Sequence, residues 1–414
     1  MASTTVEKLD WKLTFIIGLG FFTTGITWSL YNSYVPIFLR NIINNDPFWY
    51  AIFGSWINTF IGIVMILDNV AAVTLQPWIG ARSDNTWTRF GRRMPYIMIG
   101  IPLAAFFFIF IPVIKELMIL LIIITLFNIA MAIYRAPVVA LMPDLIPSKF
   151  RSKANGVINF MGGIGAVYAF FIGSYLYELY SPFIAFLTTS IIMIIALLVL
   201  IIFIKEPEKP MNLDEKIGII EAFKEVLTDE ELSGLSMLLA IMMWFFGYYI
   251  IETWFTTYGV IVLNISEALA SRMLTGFALM FILFAIPAGF IASKIGRRRT
   301  IIIGLIGLII LMIVLANLRD IVLIAILLTI GGVFWALINI NSIVIVWEIG
   351  GEAKLGAYTG LYYFFSSLAA IIGPVVAGSI FDRVGHWVMF WISAIFMAIA
   401  LFFMLMVKKG EGEA

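Results

Sequence analysis

Three ionisable residues stand inside long apolar stretches: Asp68, Arg135 and Glu252. A charge at the centre of a bilayer costs roughly 2.5–3.5 kcal/mol on insertion scales, so each position is a candidate for function. A carboxylate held there can bind and release a proton, because burial raises its pKa and a neighbouring arginine lowers it. Arginine itself stays charged. Asp68 and Arg135 are therefore the expected proton-coupling pair, against the alternative of an ion pair that only fixes two helices. For Glu252 the alternative is a carboxylate capped by a nearby hydroxyl such as that of Thr256. Rings and amides recur at helical spacing around these charges. They are Trp28, Tyr31 and Asn32; Asn128, on the face of Arg135; Tyr248 and Tyr249; Trp335, Asn339 and Asn341; and Tyr358 and Tyr362. Flat apolar faces joined to amides and a carboxylate suit the recognition of a sugar ring. Some of the rings compete as lipid-facing bulk or interface anchors, and the amides compete as interhelical hydrogen bonds.

Only membrane helices can place such residues. The chain is 62% hydrophobic and 12% charged, where a soluble domain carries about 25% charge. A water-soluble fold cannot hide that much apolar surface. Runs long enough to cross a bilayer predict helices at about 12–39, 48–79, 94–114, 117–141, 154–177 and 182–204. A second set is predicted at about 236–263, 267–292, 300–318, 321–346, 355–380 and 387–407. The first run is too long for a signal peptide and leads directly into further spans. A net charge of +1 points to no nucleic-acid partner. With no cysteine and His386 as the sole histidine, thiol chemistry and the usual zinc sites are excluded, and no cofactor or metal is expected. No Ser–His–Asp set or phosphate loop supports an enzyme. His386, at a helix end, reads as an interfacial residue.

Orientation follows from the basic residues. With the amino terminus inside, twenty of the 26 lysines and arginines face the cytoplasm. Only Arg40, Lys115, Arg272, Arg319 and Arg383 face outward, and Arg135 lies within a span. Both termini are thus expected in the cytoplasm. The polar stretch 205–235 separates the two sets of spans. Its Ile217, Ile220, Phe223 and Leu227 share a helical face, as expected of a surface amphipathic helix, with a plain solvated linker as the alternative.

The two halves echo each other. Gly80, Asp84 and Gly91-Arg92-Arg93 follow the second span; Gly289, Ser293 and Gly296-Arg297-Arg298 follow the eighth. After the fourth span come Asp144, Arg151 and Gly156; after the tenth come Glu348, Lys354 and Gly360, with equal spacing from acid to glycine. The carboxylates can cap helix starts, the arginines can pair with acids, and the glycines can let helices approach. Gly162, Gly163, Gly165 and Gly173, with Gly373 and Gly378, read likewise as packing positions, and Pro36, Pro77, Pro137, Pro287 and Pro374 as kinks. Repeated bundles with a site between them near the midplane are a transporter architecture. The expected domains are a bundle at 1–204, the linker at 205–235 and a bundle at 236–414.

The Gly-x-x-x-Asp…Gly-Arg-Arg loop resembles the signature loop of the major facilitator superfamily. The longer spacing from Asp84 to Gly91, with Pro77 before it and Pro95-Tyr96-Ile97 after it, is similar to that of the sucrose-transporter-like and glycoside–pentoside–hexuronide:cation symporter branch. So are the stretches Tyr134 to Gly156 and Tyr358 to Pro374. The resemblance implies an all-α membrane protein with twelve helices in two pseudo-symmetric six-helix bundles. It further implies a plasma-membrane carrier of a sugar by alternating access. Melibiose-type relatives hold sodium with two acids in the second helix; Ala72 and Gln76 stand at those positions here, and Asp68 lies one turn away. A lone carboxylate beside an arginine suits a proton better than sodium. Proton-coupled sugar symport is therefore the leading expectation. An uncoupled facilitator or an exporter of another small solute on the same fold is the alternative.

Overall fold

The structure is a computed structural model that describes residues 9–147, 150–206, 226, 232–351 and 355–408, with Ser152, Leu355 and Gly356 described in backbone only. Twelve apolar helices appear among them, eleven of spanning length and a shorter one at Met94–Phe110. In chain order they are α1 Trp11–Asn45, α2 Pro47–Asp84, α3 Met94–Phe110, α4 Leu117–Leu145, α5 Lys153–Leu179 and α6 Pro182–Phe203. Then follow α7 Ser233–Ile261, α8 Glu267–Ile295, α9 Arg297–Asn317, α10 Ile321–Gly350, α11 Leu355–Val384 and α12 His386–Met406. Their order and number match those expected. Several run up to six residues further, because backbone hydrogen bonding carries a helix beyond the hydrocarbon. The proposed amphipathic positions Ile217, Ile220, Phe223 and Leu227 lie outside the described residues, as does Lys354.

Side-chain caps fix the helix starts. Asp46 accepts from the N–H of Phe48 and Trp49, Glu116 from Met118 and Ile119, and Ser181 from Ile184. Ser266 and Asp320 do the same for α8 and α10. Each satisfies donors that the first turn leaves unpaired.

α2 is not one continuous helix. A tight turn at Gly54–Trp56 interrupts it, and a second interruption at Ile66 separates Ile57–Met65 from Leu67–Asp84. Asp68 thereby falls in the first turn of the last segment, where a helix dipole favours negative charge. The span expected from hydropathy ends at 79 and would put Asp68 about 16 Å from its end; the helix itself continues to Asp84, about 24 Å from Asp68 at about 1.5 Å per residue.

By contacts the chain forms two compact units, residues 1–30 with 70–213, and residues 31–69 with 214–414. Within the first, α1 and α5 meet at glycines. A Cβ on Gly25 would lie 2.1 Å from the carbonyl of Gly162, and one on Gly165 would lie 2.5 Å from that of Phe22. A Cβ on Gly80, Gly156 or Gly289 would meet nothing within 4 Å among the described residues.

Candidate functional site

In the second unit, α7, α10 and α11 bring together four of the expected residues. Tyr248 and Trp335 stack nearly parallel, with ring centroids 4.4 Å apart and 7° between planes. Phe245, one turn before Tyr249, sets its edge against Trp335 at 5.5 Å and Tyr362 at 6.1 Å. The Tyr362 hydroxyl lies 3.2 Å from that of Ser342. One turn above Tyr248, Glu252 accepts from the Tyr248 hydroxyl at 3.5 Å, a long and weak bond, and from the side chain of Asn32 on α1. Asp68 is the charged neighbour acting on Glu252. The Asp68 carboxylate accepts from the backbone and side-chain nitrogens of Asn69. Tyr31 is fully buried, and Asn32 and Asn339 are half-buried. Asn341 plays a different part, because its amide donates to the carbonyls of Leu337 and Ala288 and so ties α10 to α8.

In the first unit, Trp28 of α1 sets its ring edge to Phe127 of α4 at 5.6 Å, and Phe127 continues through Phe108 to Phe186. Next to Phe127, Asn128 is only 3% exposed, and neither its Oδ1 nor its Nδ2 has a hydrogen-bond partner among the described residues. A buried orphan amide is uncommon in native proteins and calls for an explanation. Among the described residues it makes no interhelical hydrogen bond, the alternative reading of this amide. Arg135 is half-buried two turns along the same helix.

The loop residues assemble as an ion-pair network. Arg93 joins Asp84 and Asp144 and also meets the Ser83 hydroxyl, while Arg92 binds Asp144. Both arginines are largely buried, 7% and 5% exposed. Sequence reading missed Glu206. Its carboxylate accepts from the N–H groups of Arg92, Arg93 and Met94 at 2.7–2.9 Å, capping the start of α3 from the far end of α6. Gly91 shows why glycine is needed there: its φ is +102°, and a Cβ would sit 2.6 Å from Glu206. Arg151 binds backbone. It donates to the carbonyls of Pro143 and Ile146, closing the end of α4.

The matching loop in the second unit is simpler. Gly296 has φ +91°, Arg297 pairs with Glu348, and Arg298 donates to the Leu405 carbonyl at 2.8 Å. Ser293, at the place of Asp84, bonds its own helix at Phe290. His386 stands at the start of its helix, as expected, but it is buried. It is 5% exposed, stacked on Phe381 at 4.8 Å and edge-on to Trp254 at 5.9 Å. Burial follows from these two rings, which a helix-end position does not reveal.

The profile of the Major Facilitator Superfamily matches residues 17–271 and 262–413. The chain belongs to this superfamily. Within it, the chain is 22% identical over 97% of both chains to the multi-drug resistance efflux pump PmrA of Streptococcus pneumoniae. It is 27% identical to the cis,cis-muconate transport protein of Acinetobacter baylyi, over 58% of this chain and 59% of that one. Siderophore iron transporter 2 of Schizosaccharomyces pombe is 27% identical over 38% of this chain, a match that spans 27% of that protein's length. Among solved structures, a D-xylose-proton symporter superposes with a TM-score of 0.74 at 16% identity, over 98% of this chain and 100% of that one. A bacterial homologue of the human lysosomal transporter Spinster gives 0.74 at 13% identity over 97% of each. At these identities the structures establish the fold. The chain is thus an all-α major facilitator protein, with twelve apolar helices among its described residues, a membrane transporter and not an enzyme.

Proposed function

We propose that this transporter is a proton-coupled symporter of a sugar, a disaccharide or other glycoside, in the sucrose-transporter-like and glycoside–pentoside–hexuronide:cation branch. The observation that carries the reading is the Tyr248–Trp335 stack with Glu252 one turn above it. Rings offer a flat apolar face to the C–H side of a sugar, and an ionised carboxylate accepts bonds from its hydroxyls. The unpartnered amide of Asn128 supplies a further donor and acceptor that a ligand can satisfy. Trp28, Tyr31, Asn32, Asn339 and Tyr362 complete the proposed substrate set. Asp68 takes the proton and Arg135 tunes it. The proposed moving bodies are the repeats, 1–204 and 236–414, joined by 205–235, with both termini in the cytoplasm and the chain in the plasma membrane. Counterflow of labelled sugars in proteoliposomes, with and without a pH gradient, is the test. Sodium-driven uptake at clamped pH defeats the coupling, and absence of sugar counterflow defeats the substrate.

A second reading is export of another solute. It is favoured by the full-length similarity to an efflux pump and by the same geometry, since aromatic faces beside a carboxylate also attract organic cations. Extrusion of a cationic dye, without sugar counterflow, selects it.

A further inference from the structure

The segment Ile57–Met65 begins without a cap of its own: the residue before it, Trp56, makes no side-chain bond to the turn. Its first N–H groups would be left unpaired. Two of them, those of Asn58 and Thr59, are satisfied by Asp382, near the end of α11. Asp382 Oδ1 accepts from the N–H and the amide of Asn58 at 2.9 and 2.8 Å. Its Oδ2 accepts from the N–H and hydroxyl of Thr59 at 2.8 and 2.6 Å. Four bonds fill both oxygens. Arg40 of α1 donates to the Asn58 side chain, and its guanidinium lies 3.4 Å from Nε2 of His386, the first residue of α12. The backbones are in contact beside this cap. A Cβ on Gly378 would lie 2.4 Å from the carbonyl of Asn58, and one on Gly62 would lie 2.7 Å from that of Pro374.

These contacts join residues from opposite repeats. By sequence, α1 and α2 belong to the first repeat and α11 and α12 to the second, yet residues 31–69 form one compact unit with the second. A cap of this kind is directional when made and is replaced by water on both sides when broken. It can therefore hold a contact that must part repeatedly.

We propose that Asp382, by capping Ile57–Met65 from α11, is a latch that holds the ends of α1 and α2 against those of α11 and α12, and releases when the carrier opens on that side. This rests on the alternating-access reading; on the proposed orientation the side is the outer one. Arg40 is a positioning residue that steadies Asn58 for the cap.

The chain has no cysteine, so an introduced pair reports without background. Spin labels at Asn45→Cys and Val384→Cys, exposed tips of α1 and α11, measure the separation by pulsed electron spin resonance in lipid nanodiscs. Asp382→Asn puts an amide donor against the N–H donors and removes the charge. It should raise the ratio of long to short separations by about tenfold, the scale of one lost charge-assisted bond. Thr59→Val, which removes one of the four bonds, should move the same ratio by a smaller amount in the same direction, and serves if Asp382→Asn does not fold. An unchanged distribution in the folded variant, or no longer separation in any state, overturns the latch. The readout needs no substrate: a shift without sugar transport leaves the latch standing and removes the sugar reading instead.

Discussion

Replacing Glu206 by glutamine probes the best-defined network in the transporter. The glutamate accepts from three consecutive N–H groups, those of Arg92, Arg93 and Met94. Glutamine keeps one oxygen and turns the other acceptor into a donor facing those donors. At least one N–H then loses its partner, at about 1.5–3 kcal/mol for a bond to a charged group. The start of α3 also loses an anion, about 0.3–1 kcal/mol. The sum is about 2–4 kcal/mol, confined to the loop that carries Arg92 and Arg93. Thermal unfolding in detergent at a fixed scan rate should show a midpoint lower by on the order of 10 °C, given about 2–4 °C per kcal/mol in mid-sized domains. The turnover in proteoliposomes should fall while substrate affinity stays within about threefold. Glu206→Asp, which keeps the charge on a shorter arm, should lie between. A glutamine variant with an unchanged midpoint and normal turnover refutes the reasoning, because the cap would then carry no measurable load.

Substituting Glu252→Gln should weaken sugar binding by about 1.5–3 kcal/mol and leave the proton-to-sugar ratio unchanged; calorimetry and pH-electrode stoichiometry decide, and unchanged affinity with a lost proton makes Glu252 a proton site instead. The Asp68→Asn variant should abolish uphill accumulation and preserve exchange, so normal uphill uptake removes Asp68 from the coupling step. Gly165→Leu should unfold the first unit or strongly destabilise it, since its Cβ would lie 2.5 Å from the Phe22 carbonyl; normal folding yield on size-exclusion chromatography contradicts the packing argument. Gly80→Ala, at a glycine with open space around its Cβ position, should by contrast leave the folding yield unchanged.

The spans were legible because a bilayer demands long apolar helices with internally satisfied backbones, and few other sequences look like that. The loop pairing was legible because Gly91-Arg92-Arg93 and Asp144 recur in the second half as Gly296-Arg297-Arg298 and Glu348. The meeting of Tyr248, Trp335 and Tyr362 was only partly legible: spacing marks the face of a helix, but which helix it meets depends on packing. Glu206 was hidden in a polar connector where acids are common. The interruption at Ile66 has no proline to announce it, and Asp382 looks like any acid near a helix end until Asn58 and Thr59 are seen beneath it.

Glu206 and Asp382 are the same physical device. Each is a carboxylate from a distant part of the chain, Glu206 just past α6 and Asp382 in α11, that caps unpaired N–H groups in place of the local residue that ordinarily does so. A local cap, like Ser181 or Asp320, moves with its helix and can only stabilise it. A distant cap stabilises a relation between two helices, because the bonds exist only while both stay in place. Within the first unit, Glu206 makes the start of α3 dependent on α6, and thereby orients the arginines that bind Asp84 and Asp144. The second unit lacks a described counterpart at α9, where Gly296 makes no side-chain cap and Arg298 reaches only a carbonyl. Among the described residues, Asp84, Asp144 and Glu206 hold the first loop and Glu348 holds the second.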